Sequence, residues 1–185
     1  MGKKINLGSA DKKIEGFTNV DIRPGKNVDI AWDITEIPWN WANDNSIEVI
    51  IAEEVFEHIG WKEIFKVFKE IHRVLEPNGW LHLTVPDIGK MCEYYINGEI
   101  CDCISHKEPE GGFKADPNCE KCHGKAKCNP ERFRQALAGA QKHPWDIHRN
   151  HFFKRDMIKQ LEKLNFKVRD ISPNNWYKIK LRATK

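Results

Sequence analysis

The sequence contains no apolar run approaching the ~20 residues that span a bilayer, so no membrane-crossing helix is expected. It has no charged start followed by an apolar stretch and a cleavage site; Met1-Gly2-Lys3-Lys4 leads directly into a strand-like segment. Met-Gly opens an acylation motif, but position 6 is Asn rather than Ser or Thr. A cytoplasmic setting, in which cysteines stay reduced, is the expectation. Internal repeats and low-complexity stretches are missing too, which excludes solenoids and disordered arrays. The first turn has Gly8 where a dinucleotide fold has G-x-G-x-x-G, and too few residues before Asp21 for a full helix. A pyrophosphate seated on a helix N-terminus is therefore poorly supported.

What is present fits one soluble-type α/β domain. A chain of 185 residues buries about 70% of its unfolded surface. The net charge of +3 is uneven: Arg149 to Lys185 holds eleven Lys/Arg against three Asp/Glu. A basic end attracts anions; the plainer reading is lysines that blunt an exposed sheet edge.

The stretch Lys3 to Ile22 organises the chain. Two short apolar runs, Ile5-Asn6-Leu7 and Phe17 to Ile22, flank Gly8-Ser9-Ala10-Asp11. Small residues there let a ligand approach the backbone. Asp21, just past the tip of a second parallel strand, is placed to accept hydrogen bonds from a ribose diol. A nucleoside ligand without phosphates meets these conditions, and S-adenosylmethionine is one.

Asn6-Leu7-Gly8-Ser9-Ala10 and Glu15-Gly16-Phe17-Thr18-Asn19-Val20-Asp21-Ile22 resemble the opening of compact class I S-adenosylmethionine-dependent methyltransferases of type 11. Those read N-L-G-C-G, then E-G-F-x-N-V-D. Ser9 and Ala10 depart from that pattern, and Ala10 puts a methyl group where the backbone calls for φ > 0. Arg73-Val74-Leu75-Glu76-Pro77-Asn78-Gly79 resembles the family's R-V-L-K-P-G-G, and Glu53-Glu54-Val55-Phe56-Glu57-His58 its V-L-E-H segment. The resemblance implies a Rossmann-like α/β sheet of order 3-2-1-4-5-7-6 with the last strand antiparallel. It implies a cofactor held along Asn6, Gly8, Ser9, Asp21, Ile22, Asp33, Ile34 and Glu53, with Asp33 accepting from the adenine amino group. The plainer role for Asp33 is a turn cap.

Periodicity supplies the scaffold. Ile47 to Ala52 reads as a buried central strand. Trp61 to Leu75 carries an apolar stripe at helical spacing, with Lys62, Glu63, Lys66, Lys69, Glu70 and Arg73 opposite. Glu76-Pro77-Asn78-Gly79 stops that helix before a strand over 80–85. Helices are expected over 130–140 and 155–164. Strands are expected over 166–171 and 176–183, the last alternating apolar with basic residues.

From Met91 to Asn129 the pattern changes, and residues 91–138 read as an insertion into one domain made of 1–90 and 139–185. Cys101, Cys103, Cys119 and Cys122 form C-x-C and C-x2-C pairs, whose spacing suits one structural zinc ion. Free buried thiols and disulfides are the alternatives. Beyond the insertion, Gln141, Asp146 and His148 are expected to line an acceptor pocket. His58, Glu54, His148 and His151 are the candidate bases, should the acceptor lose a proton.

There is no N-P-P-Y-like clamp at Ala52-Glu53-Glu54-Val55 and no cysteine there to attack a pyrimidine ring. A small-molecule or glycan acceptor is favoured over a nucleobase. The competing reading is a non-catalytic Rossmann-like module that binds nucleic acid through the metal knuckle and a basic C-terminal hairpin, with Phe152, Phe153, Trp176 and Tyr177 as aromatics among the basic residues.

Overall fold

The computed structural model describes residues 2–103, 106–107, 113–172 and 177–185. Its elements, in chain order, are β1 (Lys3–Leu7), β2 (Thr18–Asp21), β3 (Ile30–Ala31), β4 (Ile47–Glu53), α1 (Ile64–Val74), β5 (Leu75–Pro86) and α2 (Ile88–Ile96). There follow β6 (His106–Lys107), β7 (Phe113–Lys114), α3 (Pro130–Ala138), α4 (Lys154–Glu162), β8 (Lys167–Asp170) and β9 (Lys178–Thr184). The main sheet runs β3-β2-β1-β4-β5-β9-β8. β1 to β5 are mutually parallel, while β9 lies antiparallel between β5 and β8. Counted within the sheet this is the expected order 3-2-1-4-5-7-6 with the last strand antiparallel. No helix among the described residues is long and apolar enough to cross a membrane.

Ile5, Leu7, Ile47, Ile50, Ala52, Leu81 and Leu83 are all essentially inaccessible, as strands covered on both faces must be. Ile64, Val67, Phe68, Ile71 and Val74 of α1 pack on one side with Met157 and Leu161 of α4 in the same cluster. β9 alternates as the sequence suggests, with Ile179, Leu181 and Ala183 buried. Its basic residues are not a bare edge, because β8 lies outside them.

α1 starts at Ile64 rather than Trp61, and Trp61 is 68% exposed. Its far end is closed from a distance: Lys185 Nζ donates to the carbonyls of His72 (2.6 Å) and Leu75 (2.7 Å), a cation on the helix's free C-terminal acceptors. Asn78, at φ 67°, takes the left-handed turn, and a Cβ at Gly79 would meet the carbonyl oxygens of Glu76, Ile47 and Glu48 at 2.9–3.1 Å. That crowding is why glycine stands where β4 and β5 shift register.

Glu70 does not face solvent. It is 4% exposed and accepts from the Trp39 amide (2.6 Å) and from Arg73 Nη2 (2.6 Å) and Nε (3.0 Å). Arg73 also pairs with Asp44 and reaches the Ala42 carbonyl. The pair thereby fastens the Trp39–Trp41 loop to α1.

The unexpected element is α2. Asp87 caps it by accepting from the Lys90 amide, and Ile88, Met91 and Tyr94 form its buried stripe. It crosses residue 91, where the sequence reading begins the insertion. Ile88, Met91, Tyr94, Cys128, Ala136 and Tyr177 make a second small core, so the inserted chain packs on the sheet's far end.

Removing Arg73 leaves a buried carboxylate without its cation. Arg73→Met is expected to cost about 3 kcal/mol, the lower end for a broken buried pair because Arg73 is partly exposed. Thermal unfolding should show a fall of about 6–12 °C. A midpoint within about 2 °C of wild type would contradict the assignment.

Candidate active site at the carboxyl edge of the sheet

The tips of β1, β2 and β4 converge, and the backbone is unusual there. Gly8 has φ 63°, and a Cβ on it would collide with Val55. Ala10 (φ 45°) and Glu54 (φ 57°) adopt left-handed geometry that costs a non-glycine residue about 1 kcal/mol or more. Such strain persists only where the surroundings over-determine it.

The surroundings are a polar lattice centred on Asn19, which is fully buried. Its Oδ1 accepts from Asn6 Nδ2 (2.9 Å) and the Ile14 amide (3.0 Å). Its Nδ2 donates to the Phe17 carbonyl (3.1 Å) and Asp29 Oδ2 (3.0 Å), and Asp29 also takes the Asn19 amide (2.8 Å). Those bonds, led by the backbone one, hold the Asp29 carboxyl below its usual range. Asn6, expected at the cofactor, turns its amide to Asn19 and the Lys12 carbonyl instead.

Asp21 is 6% exposed. Oδ2 accepts from the Ala10 amide (2.8 Å), and Oδ1 from the Arg23 amide (2.9 Å) and Nε (3.2 Å). Ser9 is buried and its hydroxyl has no partner among the described residues. Ile22 is 55% exposed beside Asp21, whereas Ile34 is buried in the core. Asp33 Oδ1 caps a turn through the Thr35 amide (2.9 Å) and hydroxyl (2.7 Å). Glu53 is exposed at the end of β4.

The other half of the cleft joins two distant segments. Phe56–His58 forms a single 3₁₀ turn after β4. The amides of Arg149 and Asn150 donate to the Glu57 carbonyl (2.8 and 3.1 Å), which brings the loop 139–153 to that turn. Gly139 is indispensable to this loop: at φ 77°, a Cβ there would overlap the Asp146 carbonyl. The His58 and His148 rings meet edge to face, centroids 5.1 Å apart. Glu57 is 1% exposed, its Oε2 unpartnered, and burial pushes its carboxyl up to about 8.

The remaining candidates are engaged elsewhere. Glu54 Oε1 pairs with Lys178 Nζ at 2.6 Å. His151 Nε2 bonds the Leu137 carbonyl (2.7 Å) and His148 Nδ1 the Ala136 carbonyl (2.9 Å), so both rings cap the C-terminus of α3. Burial pushes the His148 imidazole below its usual pKa. Gln141 is exposed and reaches back to the Ala138 carbonyl (3.4 Å); Asp146 lies in the 3₁₀ turn 144–146. In that same turn, Trp145 stacks over the Arg23 guanidinium, 5.4 Å from the ring centre. The loop therefore reaches the partner of Asp21. Arg23, Trp145 and the orphaned oxygen of Glu57 carry no signal in spacing; only folding juxtaposes them.

The sulfur atoms of Cys101, Cys103, Cys119 and Cys122 lie within 4.8 Å of one another. Cys101–Cys119 and Cys103–Cys122 are 3.6 and 3.4 Å apart. These are too long for disulfides and near the ~3.8 Å edge of a tetrahedron with ~2.3 Å metal–sulfur bonds. His123 (φ 47°) and Gly124 (φ 74°) turn the chain after Cys122. Burial would raise the Cys122 thiol, but the amides of Ala126 and Gly124 and neighbouring thiols pull it below its usual value.

Residues 15–83 match the family model described as Methyltransferase domain, a span from before β2 to within β5. No curated protein matches the chain. Among solved structures, it is similar to a SAM-dependent methyltransferase from Archaeoglobus fulgidus (12% identity, TM-score 0.56, covering 100% of this chain and 86% of that one). It is also similar to Burkholderia thailandensis 1,6-didemethyltoxoflavin-N1-methyltransferase (11%, 0.54, 98% and 70%), solved with 1,6-didemethyltoxoflavin and S-adenosylhomocysteine bound. A third similarity is to a chain in the complex of the Haloferax volcanii Trm112 methyltransferase activator with the putative methyltransferase (9%, 0.51, 99% and 82%). The fold is that of the class I methyltransferases, and the resemblance seen in the sequence is thereby shown. None of these matches supports a non-catalytic nucleic-acid module. Two of that reading's basic residues are committed, Lys178 to Glu54 and Arg182 over the Trp80 ring; Trp176 lies outside the described residues.

Asn19→Ala would orphan the Ile14 amide and the Phe17 carbonyl together. We expect a loss of about 1–3 kcal/mol, since the Ile14 amide and the Phe17 carbonyl are half-buried and water reaches them in part. Urea unfolding measures it, and a loss below about 0.5 kcal/mol would mean the lattice is dispensable.

Proposed function

We propose that this chain, with its class I methyltransferase fold, transfers a methyl group from S-adenosylmethionine to a small-molecule or glycan acceptor. The observation that carries the reading is the over-determined turn at Gly8–Ala10, with the unpartnered Ser9 hydroxyl and the Asp21 carboxylate at its rim. Val55 packs so closely on Gly8 that a Cβ there would collide with it, and the donors and acceptors present suit a neutral nucleoside better than a phosphate. S-adenosylmethionine supplies an electrophilic methyl group on a sulfonium when bound.

In this reading Asp21 receives the ribose diol, taking it in place of the Arg23 side chain. Ile22 covers one face of the adenine, with Asp33 at its edge and Ile34 behind it in the core. Gly8 and Ser9 lie under the nucleoside, and Glu53 closes the site from β4. The chain's own contribution is to hold the acceptor in line and exclude water. The loop bearing Gln141, Asp146 and His148 supplies the acceptor wall, and the segment 91–138 supports it through α3. His58, Glu54, His148 and His151 are the candidate bases where the acceptor must lose a proton. That the Burkholderia protein binds 1,6-didemethyltoxoflavin supports a small acceptor.

The four-thiol cluster is read as a structural zinc site, since sulfur-only donors at these separations suit that ion. Free cysteines throughout fit a cytoplasmic, reducing setting.

Calorimetry with S-adenosylhomocysteine tests the cofactor assignment. Asp21→Ala should weaken binding by more than about 1 kcal/mol, as expected for charged hydrogen bonds; unchanged affinity would remove Asp21 from the site. For the knuckle, elemental analysis should find at least one zinc per chain, with about one equivalent lost in Cys119→Ser. Metal-free protein that melts identically with and without chelator would mean plain thiols.

A further inference from the structure

We propose that Glu57, His58 and His148 form a second metal site, for a divalent transition-metal ion, at the mouth of the cleft. One ligand atom from each residue lies within 4.8 Å of the others. Ligands about 2.1 Å from one ion stand at most about 4.2 Å apart, so the set is already close to coordination distance.

Two independent features point to a cation. The first is the imidazole tautomers. His58 Nδ1 contacts the Ile147 carbonyl (3.2 Å) and His148 Nδ1 the Ala136 carbonyl (2.9 Å). A carbonyl only accepts, so each ring carries a proton on Nδ1, and in the neutral ring the lone pair is on Nε2. Metal-ligating histidines are oriented in this way by the carbonyls behind them. The second is Glu57. Its side chain is almost wholly buried and one carboxylate oxygen has no hydrogen-bond partner. A buried carboxylate in that condition needs a proton or a cation.

The scaffold holds these three together without the ion. The Glu57 carbonyl takes the amides of Arg149 and Asn150, and His148's own amide bonds the Ala138 carbonyl (3.4 Å). Two imidazoles and one carboxylate favour manganese, iron, cobalt or zinc over calcium or magnesium. They differ from the four thiols of the knuckle, so the two sites discriminate between ions. Three protein ligands leave coordination positions open. Resting on the methyltransferase reading above, an acceptor oxygen would occupy one of them, and with the ion bound His58 and His148 would be ligands rather than bases.

Mn(II) is the probe, because sulfur donors bind it poorly. In the wild-type chain, substoichiometric Mn(II) should broaden the NMR signals of Glu57, His58 and His148 ahead of all others. Electron paramagnetic resonance should count one bound ion per chain. Glu57→Gln and His148→Gln should each weaken binding at least tenfold, with Cys119→Ser unaffected. Broadening centred elsewhere, no bound Mn(II), or wild-type affinity in both variants would overturn the site. The wild-type measurement decides even if a variant fails to fold. S-adenosylhomocysteine binding is measured on the same samples: binding without Mn(II) uptake sinks the metal site alone, and Mn(II) uptake without binding sinks the methyltransferase reading alone.

Discussion

The buried carboxamide of Asn19 is the constraint from which the site follows. Ten residues separate β1 from β2, and no helix fills the connection. A backbone turned inward without a helix has amides and carbonyls to satisfy. Asn19 satisfies them with one side chain, tying β1 through Asn6, the connecting loop through Ile14 and Phe17, and the approach to β3 through Asp29. The left-handed turn at Gly8 and Ala10 is affordable only because that lattice holds both of its ends. Asp21 then completes the turn by accepting the Ala10 amide.

The same economy recurs across the cleft. His148 and His151 cap the last turn of α3, and Glu57 grips the loop that carries them. Residues that look catalytic in isolation are thus also the fasteners of the loop. Trp145, laid over Arg23, links this loop to the β2 tip. A ligand that displaces the Arg23 side chain from Asp21 would be felt by Trp145, and so by the loop 139–153.

Much of this was legible in the sequence. Sheet order was implied by the family resemblance, and the meeting of the strand-four tip with the loop 141–151 and the gathering of four cysteines were expected from the fold and from spacing. Where reading failed, the decisive term was through-space. Glu70 lies on the polar side of α1 by periodicity, yet the Trp39 loop folds over it and supplies an amide. α2 was hidden because its stripe runs into the cysteine-rich composition, although Asp87 as a cap with Ile88, Met91 and Tyr94 was a readable signal. Arg23 beside Asp21, and the orphaned oxygen of Glu57, arise from packing that spacing does not encode.

The central claim is that the carboxyl edge of the sheet, around the Asn19 lattice, receives a nucleoside cofactor. The most direct measurement is an amide NMR titration with S-adenosylhomocysteine. The account predicts the largest shifts at Gly8 to Asp11, Asp21 to Arg23, Asp33 to Thr35 and Glu53 to Val55, with β8 and the cysteine knuckle unmoved. Shifts confined to β8 and β9, or none at saturating ligand, would contradict it.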